Sequence, residues 1–190
     1  MGTRGCYGFR KNGIDKITYN HFDSYPDCLG HAMVEFCKST SIPDMNEIFD
    51  RLILVNEDDK PTPEQIEECR KYYDGTVSTK SIDDWYCLLR DAQGEPKEYK
   101  HGLRYMIDSH NFIKDSLFCE YAYIINLDTN SLEFWVGFQR KPDSDNRYGT
   151  ENDRGYYPCK MVTYFPLEPE YMNEYSVQEY VDSMNELVEE

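Results

Sequence analysis

Residues 6–19 read Cys-Tyr-Gly-Phe-Arg-Lys-Asn-Gly-Ile-Asp-Lys-Ile-Thr-Tyr. At the centre stands Asn12-Gly13, the strongest short hairpin signal, because both turn positions accept positive φ. Residues 6–10 and 14–19 are therefore predicted as two antiparallel strands. A second hairpin is predicted from residues 117–127 and 132–139. Both stretches are rich in Tyr, Ile, Phe and Trp, and Asp128-Thr129-Asn130-Ser131 turns between them. Residues 159–165 form a further predicted strand.

The rest is punctuated as helix. Pro26 opens one, with Leu29, Ala32, Met33, Phe36 and Cys37 on one face. A second follows Pro43, with Met45, Ile48, Phe49 and Leu52 inward. Thr62-Pro63-Glu64-Gln65 is a capping box that starts a third. Ser81-Ile82-Asp83-Asp84 starts a fourth, which carries Trp85, Leu88 and Leu89. Ser176-Val177-Gln178-Glu179 is a capping box for a closing helix with Tyr180, Val181, Met184 and Leu187 on its stripe. Residues 92–102 and 141–155 read as loops, the second as a mobile one. Strands at both ends with helices between and after imply an α+β fold. Its mostly antiparallel sheet is built from the N-terminal and C-terminal hairpins, with helices packed on it. Residues 1–190 are expected as a single domain, with 43–100 as a helical insertion subdomain.

The chain has 190 residues and a net charge of −16, from 36 acidic and 20 basic side chains. No Lys or Arg follows Lys160, whereas Glu168, Glu170, Glu174, Glu179, Asp182, Glu186, Glu189 and Glu190 do. Such a surface repels a phosphate backbone and attracts a basic partner. Direct nucleic-acid binding is therefore not expected. Solubility is the competing explanation of the charge. No apolar run is long enough to span a bilayer, and Met-Gly-Thr-Arg-Gly-Cys lacks a signal-peptide core. Seven scattered cysteines without a Cys-x-x-Cys fit a reducing cytoplasm, with no disulfide framework. The histidines have no short spacing, the acidic loops do not follow a calcium-loop pattern, and no glycine-rich phosphate loop occurs. No metal and no cofactor are expected.

The densest chemistry lies in residues 19–26, Tyr-Asn-His-Phe-Asp-Ser-Tyr-Pro, at a strand-to-helix junction. On a strand, Tyr19, His21 and Asp23 share a face, so His21 and Asp23 are candidates for a hydrogen-bonded general-base pair. The structural alternative is that Asp23 or Ser24 caps the helix at Pro26, Asn20 closes the strand and Tyr25 packs. Arg4, Arg10, Asn20 and Tyr25 are candidate ligand-binding residues beside the pair. In a nucleotide-binding version of this pocket, Arg4 and Arg10 hold the phosphates. Thr3 is a candidate nucleophile of the N-terminal-nucleophile type.

Two resemblances attach to these residues. The opening strand-turn-strand, with Asn20 and Asp23, is similar to the start of conjugated-bile-salt-hydrolase-like proteins, which implies an amidohydrolase with an N-terminal nucleophile. Removal of Met1 leaves Gly2 rather than Thr3 in the nucleophile's place. More specifically, Thr3-Arg4-Gly5, Gly8-Phe9-Arg10, residues 19–26 and Leu29-Gly30 resemble uncharacterised small bacteriophage and prophage proteins. These open with Thr-Arg-Gly/Ser and carry His-Phe/Trp-Asp-Ser/Gly-Tyr-Pro. That resemblance implies a viral setting in the host cytoplasm. By analogy it implies a non-enzymatic inhibitor that occupies the basic channel of a nucleic-acid-binding host defence enzyme.

Overall fold

The structure is a computed structural model and describes residues 2–189. The fold is α+β. Asn12 and Gly13 both have positive φ, at 54° and 72°, and reverse the chain between β1 (Gly5–Lys11) and β2 (Ile14–Asn20). One π-helical turn, Pro26–Gly30, leads into α1 (His31–Ser39), and α2 (Ile42–Arg51) follows. Gly30 lies against the Tyr123 ring, and a Cβ there would come within 3.0 Å of it.

The chain then runs through β3 (Ile53–Val55), α3 (Pro63–Cys69), α4 (Trp85–Leu88), α5 (Lys97–Lys100) and β4 (Tyr105–Ile107). The Thr62 capping box forms as its spacing predicts. The helix expected from Ser81 is shorter than its apolar stripe suggests. Asp84 caps it, and α4 is a single turn. β3 and β4 pair in parallel as a separate two-stranded sheet. Three apolar residues each are too few to show a period, which is why neither strand is foreseen.

β5 (Tyr121–Asn126), β6 (Ser131–Val136) and β7 (Lys160–Pro166) follow, and then α6 (Pro169–Met172) and α7 (Val177–Glu189). The main sheet has the order β2-β1-β5-β6-β7. Its one parallel contact joins β1 to β5, so the two hairpins meet at the centre. The Asp128 carboxylate ties them further. It accepts the N–H groups of Asn12 (2.7 Å) and Gly13 (3.0 Å).

Alternation along the central strands feeds two apolar layers. Tyr7, Phe9, Tyr123, Ile125, Leu132 and Phe134 face the helices and join one core with Phe36, Met45, Trp85, Leu88, Tyr99 and Met184. Residues of the 43–100 stretch thus share a core with β1 and β5. Cys6, Ile17, Ala122, Ile124 and Trp135 face the other way, onto Ile113, Cys119 and Cys159. Burial of each large side chain stabilises by about 1.5–3 kcal/mol.

Residues 141–155 form the loop their composition predicts, and residues 146–148 of it are anchored to the body. Asn146 Nδ2 donates to Cys159 O, the Tyr148 hydroxyl donates to Asp15, and Arg147 makes a two-pronged pair with buried Glu133. The polar composition that reads as a loop supplies these anchors. All seven cysteines are free thiols. No helix among the described residues is long and apolar enough to cross a membrane.

Candidate functional site

Residues 19–26 form a knot of internal hydrogen bonds. Asn20 is buried, and its Nδ2 donates to Phe22 O (2.8 Å) and Ser24 Oγ (2.9 Å). Ser24 is fully buried. Its N–H donates to Thr3 O, and its own carbonyl accepts from the Tyr123 hydroxyl at 2.9 Å. Gln93 Oε1 accepts the His21 N–H at 2.7 Å. Asn20 therefore closes the strand end. The side chains of Asp23 and Ser24 do not cap the helix. The N-cap position is Tyr25, which makes no side-chain cap bond. Asp23 instead takes positive φ (56°) at the surface, and its carbonyl accepts from Leu29 N–H.

His21 finds a phenol where the sequence suggests a carboxylate. Its Nδ1 lies 2.6 Å from the Tyr19 hydroxyl, and Asp23, in an exposed turn, makes no hydrogen bond or ion pair with it. Burial, and then the nearby Arg4 and Arg90 guanidiniums, lower the His21 pKa. A lowered pKa keeps the ring mainly neutral near pH 7. The neutral form is the one the fold keeps. Its stabilisation is therefore full above the unfolded value, near 6.5, and is lost as pH falls through the folded value. Arg90→Ala is expected to raise the His21 midpoint in an NMR titration toward 6.5. An unchanged midpoint would remove Arg90 as a cause.

Of the other candidates, Arg4 comes close to the Tyr19–His21 pair, and Thr3, Arg10 and Tyr25 do not join it. Thr3 is buried, and Gly2 precedes it, so its nitrogen is an amide. Arg10 pairs with Asp15 at 2.9 Å. It lies six residues from Arg4 along an extended strand, or roughly 20 Å at about 3.3 Å per residue. The two arginines therefore cannot hold one phosphate. Arg4 stacks over Phe118 at 5.5 Å, with Arg154 also over that ring at 5.1 Å. Tyr25 is exposed beside Tyr121.

The space nearby is equally unhelpful for catalysis. A cavity lined by Tyr7, Tyr19, Tyr86 and Tyr99 holds about 30 Å³, comparable to a single water. A wider cleft of about 320 Å³ runs past Phe22, Asp23, Cys28 and Arg90. Its one thiol, Cys28, has a raised pKa from burial and from Asp23 and Asp27, so it is held as the weakly nucleophilic thiol. Arg90 and Gln93 approach the opening run from about 70 residues away, with no sequence signal to announce them. Among the described residues no group of three or more His, Cys, Asp or Glu is placed to hold a metal ion.

A different surface concentrates charge and aromatic area. β7 is an edge strand, and α6 and α7 follow it. Tyr171, Tyr175 and Val188 remain exposed on and between α6 and α7, although most large apolar side chains of the chain are buried; the exposed Met161 and Tyr164 of β7 pair with Trp135 and Glu133 and so lie on the sheet face away from these helices. Glu170, Glu174, Glu179, Asp182, Glu186 and Glu189 are exposed on the same elements. The base of this surface is fixed. Phe165 packs edge-on against Tyr180 at 4.9 Å, and Tyr180 donates to Tyr171 O at 2.9 Å. Lys38 of α1 donates to the carbonyls of Met172 and Tyr175, which uses its ammonium beneath the surface. Comparison with protein-family models, with curated proteins and with solved structures returns no match.

Proposed function

We propose that this chain is a non-enzymatic accessory protein of bacteriophage type that binds a basic host protein and inhibits it by occupying a cationic groove. A nucleic-acid-binding defence enzyme is the partner class that this charge suits. The observation that carries the reading is the coincidence, from Lys160 onward, of exposed tyrosines with carboxylates and no cation beyond Lys160 itself. Clustered carboxylates steer a cationic partner, and aromatic rings supply contact area at small entropic cost. The amidohydrolase alternative receives no support from residues 19–26, where Asn20 and Ser24 are consumed by structure and His21 lacks a carboxylate.

The test is fluorescence anisotropy with a labelled twelve-residue peptide of alternating Lys and Gly. Binding is expected near ~0.01 M salt and a steep loss by ~0.15 M, as the Debye length falls from about 30 to about 8 Å. Absence of binding at low salt contradicts the proposal, and so does binding indifferent to salt.

A further inference from the structure

Asn12-Gly13 is the one Asn-Gly pair in the chain. Such a pair is chemically labile as well as turn-forming. The backbone nitrogen of the second residue can attack the side-chain carbonyl carbon of the asparagine, and a glycine there puts no Cβ in the way. A bond forms between Gly13 N and Asn12 Cγ, and the bond from Cγ to Nδ2 breaks. The glycine amide proton leaves with that nitrogen as ammonia. Water then adds across one of the two imide bonds and leaves aspartate or isoaspartate. Attack requires the glycine nitrogen to give up its proton and to swing onto Cγ.

Nothing bulky shields this turn. Asn12 and Gly13 are exposed, and a Cβ added at Gly13 would meet only the Arg10 guanidinium, at 4.0 Å. What the turn does have is a carboxylate. The Gly13 N–H, whose proton must be lost, donates to Asp128 Oδ2 at 3.0 Å, and the Asn12 N–H donates to Oδ1 at 2.7 Å. These two N–H groups hold the Asp128 carboxyl below the ordinary carboxylate range, so it is ionised at neutral and alkaline pH. An anion in this place opposes the reaction twice. Its charge-assisted hydrogen bond stabilises the intact N–H. It also repels the amide anion that would attack. A carboxylate is far too weak a base to take the amide proton itself.

We propose that Asn12 is a deamidation site and that Asp128, contributed by the other hairpin, restrains it by holding the Gly13 N–H. The restraint is a product of the fold. Residues 12 and 128 lie 116 positions apart and meet because β1 pairs with β5. The modification undoes what holds it back. Aspartate at position 12 sets a second carboxylate beside Asp128. Isoaspartate adds one backbone carbon to the two-residue turn and shifts the Gly13 N–H away from Asp128. Deamidation is thus a one-way change of charge and shape where the two hairpins are tied together. It is independent of what the C-terminal surface binds.

The experiment incubates the wild type, Asp128→Asn and Asp128→Ala in mildly alkaline buffer, and maps the peptide containing Asn12 over time for aspartate and isoaspartate. The wild type is expected to convert slowly and Asp128→Ala about tenfold faster. Asp128→Asn is expected to fall between them, because it keeps an acceptor but not the charge. Hydrogen exchange of the β1–β2 ladder amides, read by NMR on the same proteins, is expected to stay at the wild-type rates. Equal conversion in the three proteins, including none in any of them, overturns the proposal. Slower conversion without the carboxylate also overturns it, since Asp128 would then assist the attack. Faster conversion accompanied by faster exchange along the whole ladder overturns it too, since Asp128 would then act by holding the hairpin closed rather than by holding one N–H.

Discussion

Glu133→Ala is expected to destabilise the fold by about 3–5 kcal/mol, toward the lower figure because Arg147 keeps some contact with solvent. Glu133 is 3% exposed at the centre of β6. Its carboxylate accepts from both Arg147 guanidinium nitrogens, at 2.7 and 2.6 Å. It also accepts from Asn126 Nδ2 (3.1 Å) and Trp135 Nε1 (3.2 Å). Arg147 itself lies over the rings of Trp135 and Tyr148. Removal of the carboxylate leaves a half-buried cation and two donors without partners. Replacement of the pair by methionines, Glu133→Met with Arg147→Met, is expected to recover most of the loss, since apolar groups of similar volume carry no stranded charge. Urea denaturation measures both. A single-variant loss below about 1 kcal/mol would put this pair among surface salt bridges.

Trp85→Ala is expected to cost a similar amount, about 3–5 kcal/mol, through the cavity left in the helix-side core. Trp85 is 1% exposed and lies 5.5 Å from the Tyr105 ring of β4. The variant has a further use. The chain has two tryptophans, so Trp135 becomes the sole one and is followed with excitation at a wavelength that tyrosine does not absorb. Trp135 belongs to the layer on the opposite side of the sheet. The midpoint followed through Trp135 is expected to drop together with that from far-UV circular dichroism, because residues 43–100 share their core with β1 and β5. A Trp135 midpoint that stays at the wild-type value would mark residues 43–100 as an independently folding unit.

What the sequence discloses tracks how local each signal is. Asn12-Gly13, the Thr62 box and the Ser176 box are decided within four residues, and each forms as its spacing predicts. The parallel pairing of β1 with β5 joins segments more than 110 residues apart. Nothing local specifies it, because both strands are apolar on both faces and offer no alternation to align. The anchoring of residues 146–148 is hidden for the same reason. Arg147 and Tyr148 read as solvated loop residues until Glu133 and Asp15 are placed beneath them. In residues 19–26 the polar side chains are legible, but their uses are not. His21 and Asp23 share a face only if the strand continues, and it ends at Asn20, with positive φ at Asp23. The acidic surface is legible as composition, whereas a cleft such as that between residues 37–43 and 167–173 depends on two distant segments meeting.

The central claim is that position, not net charge, makes the C-terminal surface a docking site. It is tested most directly by two variants of equal net charge. One neutralises Glu170, Glu174, Glu179 and Asp182 as Gln and Asn, and the other neutralises Asp58, Asp59, Glu64 and Glu151, which are also exposed but lie elsewhere in the fold. Affinity for the Lys-Gly peptide is measured across a salt series for both. The C-terminal variant is predicted to lose most of the binding and much of the salt slope, and the other to retain both. Equal losses in the two variants would contradict the claim and reduce the acidic surface to a matter of solubility.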